Sequence, residues 1–540
     1  MRRSSRHRVR LARCAAVGAS LWASLVGAVP AGAQPGLVAL PLDDPAYVQL
    51  EALHRVGCAP ARVSAYRPFL VRLVRAALDS AAGDAGCAGR ILDALRDRFA
   101  ADTGAVARLR WGAALTVAGT ALGRGEIRPL WQDVRPTAEG EPAGAVTARG
   151  RATYGDTGRY VVVAEVVAGT HRRNQTQVRQ KALRNTSGYV DGGDAYISAR
   201  FGPFVASLGR MAEAWAGSGR ESLILSAHGP PLDRVQLEAH WSRLEGRAFF
   251  GSLDDVVLTE AEDSIGAGIS PVRRYRMLAG HALTWRPHPA LELSVGETAL
   301  ITRGSRVLDL AFVNPFVPYL LTQNDSSRTG AEQEDNLLVF GAAVARVAGV
   351  LISGELVVDD IQIDAADRER LNDQLAWSLR AAVPLPMPMP VVLGAEYTRV
   401  GTYTYLRNPY SVAYQQFGRP LGSELGPDAD VLRLTAEAWP HGKARLGASV
   451  GLWRHGALRL EDRPGRSVNE GRRAFPSTDA DRPGVQSGLL ADASVRLLDV
   501  RLPLAVRIEA ANVHNVNNLD ASPALYVRAQ ILGTYAFRYP

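Results

Sequence analysis

The sequence predicts a mainly β protein: an antiparallel transmembrane β-barrel of about 18 strands with a small N-terminal α-helical domain. Three observations carry this expectation. The chain opens on an export leader. From Arg108 onward, apolar and polar residues alternate with period two, in segments of roughly ten to fifteen residues. The connections between segments are short and long in turn, the pattern of periplasmic turns and extracellular loops.

Residues 1–33 read as a signal peptide. Arg2, Arg3, Arg6, Arg8, Arg10 and Arg13 form its basic region, an apolar stretch runs from about Ala15 to Val29, and Ala31-Gly32-Ala33 is the cleavage site. The alternative, a membrane anchor, is disfavoured because the apolar stretch is too short to span. Removing the leader changes the charge argument. The 540-residue chain is formally +8, the leader carries six Arg and no acid, and the rest is near +2 (8 − 6). Nucleic acid is therefore not an expected partner. Outside the leader, Cys58 and Cys87 remain. An exported chain can pair them, closing a loop of about 30 residues and stabilising it by roughly 3 kcal/mol. Two buried thiols are the alternative.

Residues 34–103 are helical in pattern. Asp43-Asp44-Pro45 reads as a helix start, Tyr47, Leu50, Leu53 and Val56 line one face, and Gly57 is the stop. A second helix begins near Arg67-Pro68 and carries Leu70, Leu73, Val74, Ala77 and Leu78. A third carries Ile91, Leu92, Leu95 and Phe99. Together they predict a helical domain in the periplasm, followed by the barrel over 104–540.

In the barrel, Leu109, Trp111, Ala113, Leu115 and Val117 share one face of the first strand. Further strands are expected near 144–155, 159–170, 194–201, 204–216, 223–228, 234–244, 272–285 and 291–301. They continue near 336–346, 350–361, 372–383, 391–404, 431–440, 444–456, 487–498, 501–512 and 525–539. Gly155–Gly158, Gly202-Pro203, Gly229–Asp233, Arg286–Pro289, Val347–Gly349, 384–390, Pro440–Lys443 and Asp499-Val500 are the short turns. The longer loops include 171–193, 245–271, 302–335, 405–430 and 457–486. With 121–143 as one outer loop, the strand number comes out even, as such barrels require. The last strand places Ile531, Gly533, Tyr535, Phe537 and Tyr539 on one face, before Pro540. Such an aromatic end suits the interfacial girdle.

Several segments resemble a known family. "PLDDPAYVQLEALHRVGCA" with "RPF" (Pro41 to Phe69), "SVGETALITRG" (Ser294 to Gly304), "VNPF" (Val313 to Phe316), "EDNLLVFGAAV" (Glu334 to Val344), "ISGELVVDDIQID" (Ile352 to Asp364) and "FGRPLGSELGPDAD" (Phe417 to Asp430) are similar to the bacterial capsule-assembly proteins of the Wzi family. The resemblance implies an 18-stranded outer-membrane barrel with a helical periplasmic bundle. It also implies recognition of exported capsular polysaccharide, or help in assembling it.

Candidate site residues follow from chemistry. Sugars stack on aromatic rings, so Tyr403, Tyr405, Tyr410, Tyr414 and Phe417, in or beside the 405–430 loop, form a candidate polysaccharide surface. An interfacial aromatic girdle is the competing reading. Arg273, Arg274 and Arg276 could grip an acidic polymer through bidentate contacts, or pair with luminal acids. Glu355 and Asp359 alternate into the lumen, where they could form a hydroxyl or cation site, or simply pair with luminal Arg; Asp360 points the other way, near an interface. Asn314-Pro315 shapes a turn that could plug or lid the pore. Ser226 and His228 form an alternating pair without a nameable third partner, so no catalytic residue is expected. No zinc spacing or P-loop is present, and no metal or cofactor is expected.

The expected function is recognition of surface or capsular polysaccharide, without enzymatic activity. Polysaccharide, outer-membrane lipid and, during biogenesis, the barrel assembly machinery are the expected partners. A diffusion channel is the first alternative and an outer-membrane hydrolase the second.

Overall fold

The computed structural model describes residues 36–540, except 43, 59–65, 82–88, 101–107, 122–142, 157, 171–187, 216–221, 228–230, 259–271, 306–308, 324–333, 363–364, 388, 408–409, 418, 441–443, 461–470, 498–503, 520–522 and 540. The expected leader, Cys87 and His228 lie outside the described residues. Cys58 is disulfide-bonded.

Among the described residues, eighteen strands form one closed antiparallel sheet. They are β1 (Arg108–Ala121), β2 (Ala143–Gly155), β3 (Tyr160–Thr170), β4 (Gly188–Phe201), β5 (Phe204–Met211), β6 (Leu232–His240), β7 (Leu244–Ser252), β8 (Val272–His288) and β9 (Leu291–Arg303). The second half is β10 (Glu334–Val347), β11 (Val350–Asp360), β12 (Gln374–Leu385), β13 (Val391–Val400), β14 (Ala429–Ala438), β15 (Ala444–His455), β16 (Gln486–Leu497), β17 (Leu504–His514) and β18 (Ala524–Tyr539). A further short strand, Val256–Leu258, pairs with β8. Closure is made by β18 on β1, with Tyr539 opposite Trp111 and Ala529 opposite Ala121. Closing the sheet leaves no unpaired edge, which a lipid environment requires.

Period-two alternation sorts side chains between lipid and lumen. Leu109, Trp111, Leu115 and Val117 are exposed on β1, as are Ile352 and Leu356 on β11. Leu351, Ser353, Glu355, Val357 and Asp359 face inward and are buried. Tight turns join strands at one end. Ala348 (φ 49°) and Gly349 (φ 83°) turn β10 into β11, and two consecutive left-handed residues match hairpin twist.

Two strand assignments change. Of the expected strand 223–228, the described residues 223–227 are not a barrel strand; they belong to a connection between β5 and β6 that folds inward. Leu244–Ser252, expected inside a long loop, is β7. The short turn is accordingly Trp241-Ser242-Arg243, between β6 and β7; Gly229 and Pro230 of the expected turn lie outside the described residues. One strand is lost and one gained, so the number stands. The cause is physical. Leu223-Ile224-Leu225 is apolar because it fills the lumen. β7 shows weak alternation because its inward residues include Glu245 and Arg247 while Gly246 and Ala248 face outward.

The N-terminal helices α1 (Ala46–Arg55), α2 (Val71–Ser80) and α3 (Gly89–Arg98) share one core with the short-turn end of the barrel. Asp44 starts α1 by accepting the Ala46 N–H (2.8 Å) and holds Arg98 of α3 (2.5 Å). Val161, Val205, Val392 and Trp439, all beside short turns, complete that core. Arg55 pairs with Glu437 (2.7 Å), and the Ala39 N–H donates to the Tyr196 hydroxyl (2.8 Å).

Candidate functional site

The helical unit sends one segment into the lumen. Tyr66 and Arg67 pair antiparallel with Trp215 and Ala214. Trp215 in turn bridges to Leu225, and the Ser226 N–H donates to Leu421 O (2.7 Å). The segment rests on a bed of buried charge. Glu213 accepts from Arg247 (2.7 Å), Arg234 and the Trp215 indole N–H (2.6 Å). Arg247 reaches Glu238 (3.1 Å), and Arg286 joins Glu245 (2.8 Å) to Glu292 (2.9 Å). Buried ions persist only when paired, and this lattice fixes the wall against which Tyr66 and Trp215 pack.

Above it, the connection between β13 and β14 also folds inward. Arg276, fully buried on β8, donates to the carbonyls of Ser411 (2.7 Å), Ala413 (2.9 Å) and Gln415 (2.7 Å) and pairs with Asp254 (3.1 Å). Asp359 accepts the Tyr405 N–H (2.7 Å), and Glu355 accepts the Leu223 N–H (2.9 Å). Tyr405 donates to Leu223 O, and Tyr414 to Ile224 O (2.7 Å). Their rings stack, 5.8 Å apart and inclined by 24°. The two inward loops and the Tyr66 segment thus form a continuous column, packed on the inner faces of strands from β6 round to β18.

Most residues singled out in the sequence build this column instead of an exposed glycan surface. Tyr403, Tyr405 and Tyr414 are buried, and Tyr403 donates to Gly471 O (3.0 Å). Their faces are covered by protein, so neither the sugar-stacking nor the girdle reading describes them. Tyr410 starts a short 3-10 turn; its side chain lies outside the described residues. Phe417 is half-buried at the loop's rim, and its N–H meets the Asp254 carboxyl. Arg274 and Arg276 are buried inward, whereas Arg273 is 60% exposed and pairs with Asp255 (3.4 Å). Asn314 caps its own turn by accepting the Phe316 N–H (3.0 Å). That turn lies on the outer wall of the barrel and not in the pore. Ser226 is held in the column and makes no nucleophile–base pair with any described residue.

Sequence reasoning missed Trp215, Arg407 and the Leu223–Leu225 run. Arg407 bonds Asn336 Oδ1 (3.2 Å) and Asp359 O (3.1 Å). The available signal was an apolar triplet between Ser222 and Ser226, too short for a spanning strand.

No protein-family model matches the chain, and no curated protein matches it in sequence. Solved structures do match in fold. Wzi of Escherichia coli, described as an outer-membrane protein involved in group 1 capsule assembly and a carbohydrate-binding β-barrel, aligns with a TM-score of 0.60 at 13% identity, covering 92% of this chain and 99% of its own. OprD of Pseudomonas aeruginosa aligns at 0.43 and 8%, covering 81% and 95%. OccAB4 of Acinetobacter baumannii aligns at 0.41 and 9%, covering 80% and 98%. This chain is an outer-membrane β-barrel of eighteen strands that shares the fold of the capsule-assembly barrel Wzi.

Proposed function

We propose that the protein recognises surface or capsular polysaccharide at its extracellular face and assists its attachment or assembly. The carbohydrate binding described for Wzi supports the reading, and one observation carries it: the 401–428 loop is braced from within by Arg276, Asp359 and Asn336. Bracing holds the rim of that loop in one shape, so a ligand meets a preorganised surface. On this reading the helical unit is periplasmic and the long loops are extracellular. The contact patch is the corner where Phe417 adjoins Asp254 and Arg273 adjoins Asp255. The half-buried Phe417 ring offers its open side for stacking, and the guanidinium and carboxylate offer hydrogen bonds to hydroxyls.

The test is binding of the purified, detergent-solubilised protein to a panel of the host's own surface polysaccharides, against an unrelated barrel. Saturable binding to one polymer, weakened in Phe417→Ala and Arg273→Ala, is expected. Binding to none, or binding indifferent to both substitutions, refutes this assignment of the patch.

A second reading has its own observation. Inward residues of β1 and β2, including Gly112, Ala114, Thr116, Thr147 and Arg149, are small or polar and only half-buried. Eighteen strands are wide enough for an aqueous lumen, so a narrow solute passage beside the column is the alternative. Steady conductance of the intact protein in planar bilayers favours it.

A further inference from the structure

The connection from β9 to β10 does not fold into the lumen. It folds down the outside of the barrel. On β8, outward residues Leu283 and Trp285 are open, and so are Leu293 and Val295 on β9. The next outward positions toward the extracellular end, Met277, Ala279, Ala299 and Ile301, are buried although they share the same face. With Phe250 and Leu337 they form a separate core, closed over by Phe312 and Tyr319. These two rings belong to two short helices, α4 (Leu310–Val313) and α5 (Tyr319–Gln323), joined by the Asn314-Pro315 turn.

The segment is pinned by polar contacts on that outer wall. Arg303 holds Asp335 (2.6 Å) and Asp309 (2.9 Å), and Asp309 caps α4 through the Ala311 N–H (3.3 Å). Glu297 accepts the Leu320 N–H (3.2 Å) and faces His281 (3.3 Å), whose ring lies 4.3 Å from that of Tyr319. A carboxylate and an imidazole on a lipid-facing wall are costly when bare, and the segment covers both.

Its own outer side is apolar. Leu310, Phe316, Leu320 and Leu321 are exposed, Phe316 to 87%. A tilted spanning strand needs roughly 9–11 residues, and Glu297 is only the seventh residue of β9. The pinned segment therefore lies at the depth of the upper part of the apolar band, continuous with Leu283, Leu293 and Val295 below it.

We propose that residues 309–323 form a lipid-inserted flap, whose Leu310, Phe316, Leu320 and Leu321 side chains take the acyl chains of the outer leaflet. The flap covers Glu297 and His281 on that wall and presents an apolar surface in their place. The continuous lipid-facing band selects acyl chains as the occupant.

The experiment uses Phe316→Cys and Leu321→Cys in the full-length mature protein, spin-labelled and reconstituted in phospholipid vesicles. Val295→Cys reports the lipid-facing wall and Ala480→Cys an exposed outer loop; the unsubstituted protein is the labelling blank. Collision with oxygen is compared with collision with a water-soluble nickel chelate. Both flap labels are expected to match Val295, with high oxygen and low nickel access. Nickel access matching Ala480 at both positions overturns the proposal, because the flap then lies in water. Low access to both reagents, with broadening between labels, also overturns it and assigns the face to a second copy of the chain. Heat-modified migration of each variant checks that the barrel has formed.

Discussion

Arg276 shows how one side chain decides the fate of a loop. Its guanidinium makes charge-assisted bonds to three carbonyls that lie 135 to 139 residues away in sequence. Arg276→Met keeps the volume but leaves those carbonyls and Asp254 without their donor, at a cost of about 3 kcal/mol. A lower unfolding midpoint and new protease cuts within 405–425 are expected; an unchanged midpoint with full protection refutes the bracing role. Gly280 makes a steric counterpart, since a Cβ there would lie 2.7 Å from Trp215 and 2.8 Å from Phe249. Gly280→Val should cost about 1–3 kcal/mol by overpacking, read as a lower unfolding midpoint. Alternation made part of this legible: Arg274 and Arg276 share a face and Arg273 takes the other. What no local pattern encodes is the partner. An inward arginine reads the same whether it meets polymer, water or a distant loop.

Elements were legible in proportion to how local their causes are. Asp44 starting α1 and Gly57 (φ +85°) ending it are set by neighbouring residues. The departure of Tyr66-Arg67 into the lumen is not, because its cause is the edge offered by Ala214-Trp215. Near this departure, Glu51 bonds Arg67 (2.5 Å) and lies 3.8 Å from Arg55. Burial pushes its carboxyl up, but Arg67 and Arg55 outweigh burial and hold it below the ordinary glutamate range. A depressed carboxylate stabilises the docked helices above its unfolded pKa, about 4.3, and that contribution is lost as pH falls through its lower folded value. Helix cleavage by an acid-active protease should therefore rise steeply below about pH 4, and Glu51→Gln should flatten the rise. The flap is a second case of non-local cause. Its sequence is an apolar loop with an Asn-Pro turn, and it is distant residues of the outer wall that place it there: Glu297 and Arg303 by polar contacts, Met277, Ala299 and Ile301 by packing. Glu297→Ala removes the Leu320 N–H acceptor, worth about 1 kcal/mol, and should raise proteolysis at 315–323 without shifting barrel unfolding.

At the scale of the molecule, the question is what the column does to the pore. The inner faces of β6 to β18 carry its packing, while those of β1 and β2 stay half-open. The column is also interdependent. Leu223, Ile224 and Ser226 rely on Tyr405, Tyr414 and Leu421 for their backbone bonds. Removing 404–424 therefore also loosens the second inward loop, since Leu223, Ile224 and Ser226 lose those partners and keep Glu355 and the Trp215–Leu225 bridge to hold them. Tyr66 and Trp215 then keep their mutual pairing, the Thr284 hydroxyl, the Phe249 and Phe340 rings and the charged bed. Replacing 404–424 by a short Gly-Ser linker should raise single-channel conductance well above that of the intact protein in the same bilayer. The barrel itself should still assemble, because its wall hydrogen bonds are all between strands. A variant that migrates as a folded barrel yet conducts no more than the intact protein would mean that the column does not limit the pore. The braced loop would then have to be explained by its extracellular rim alone.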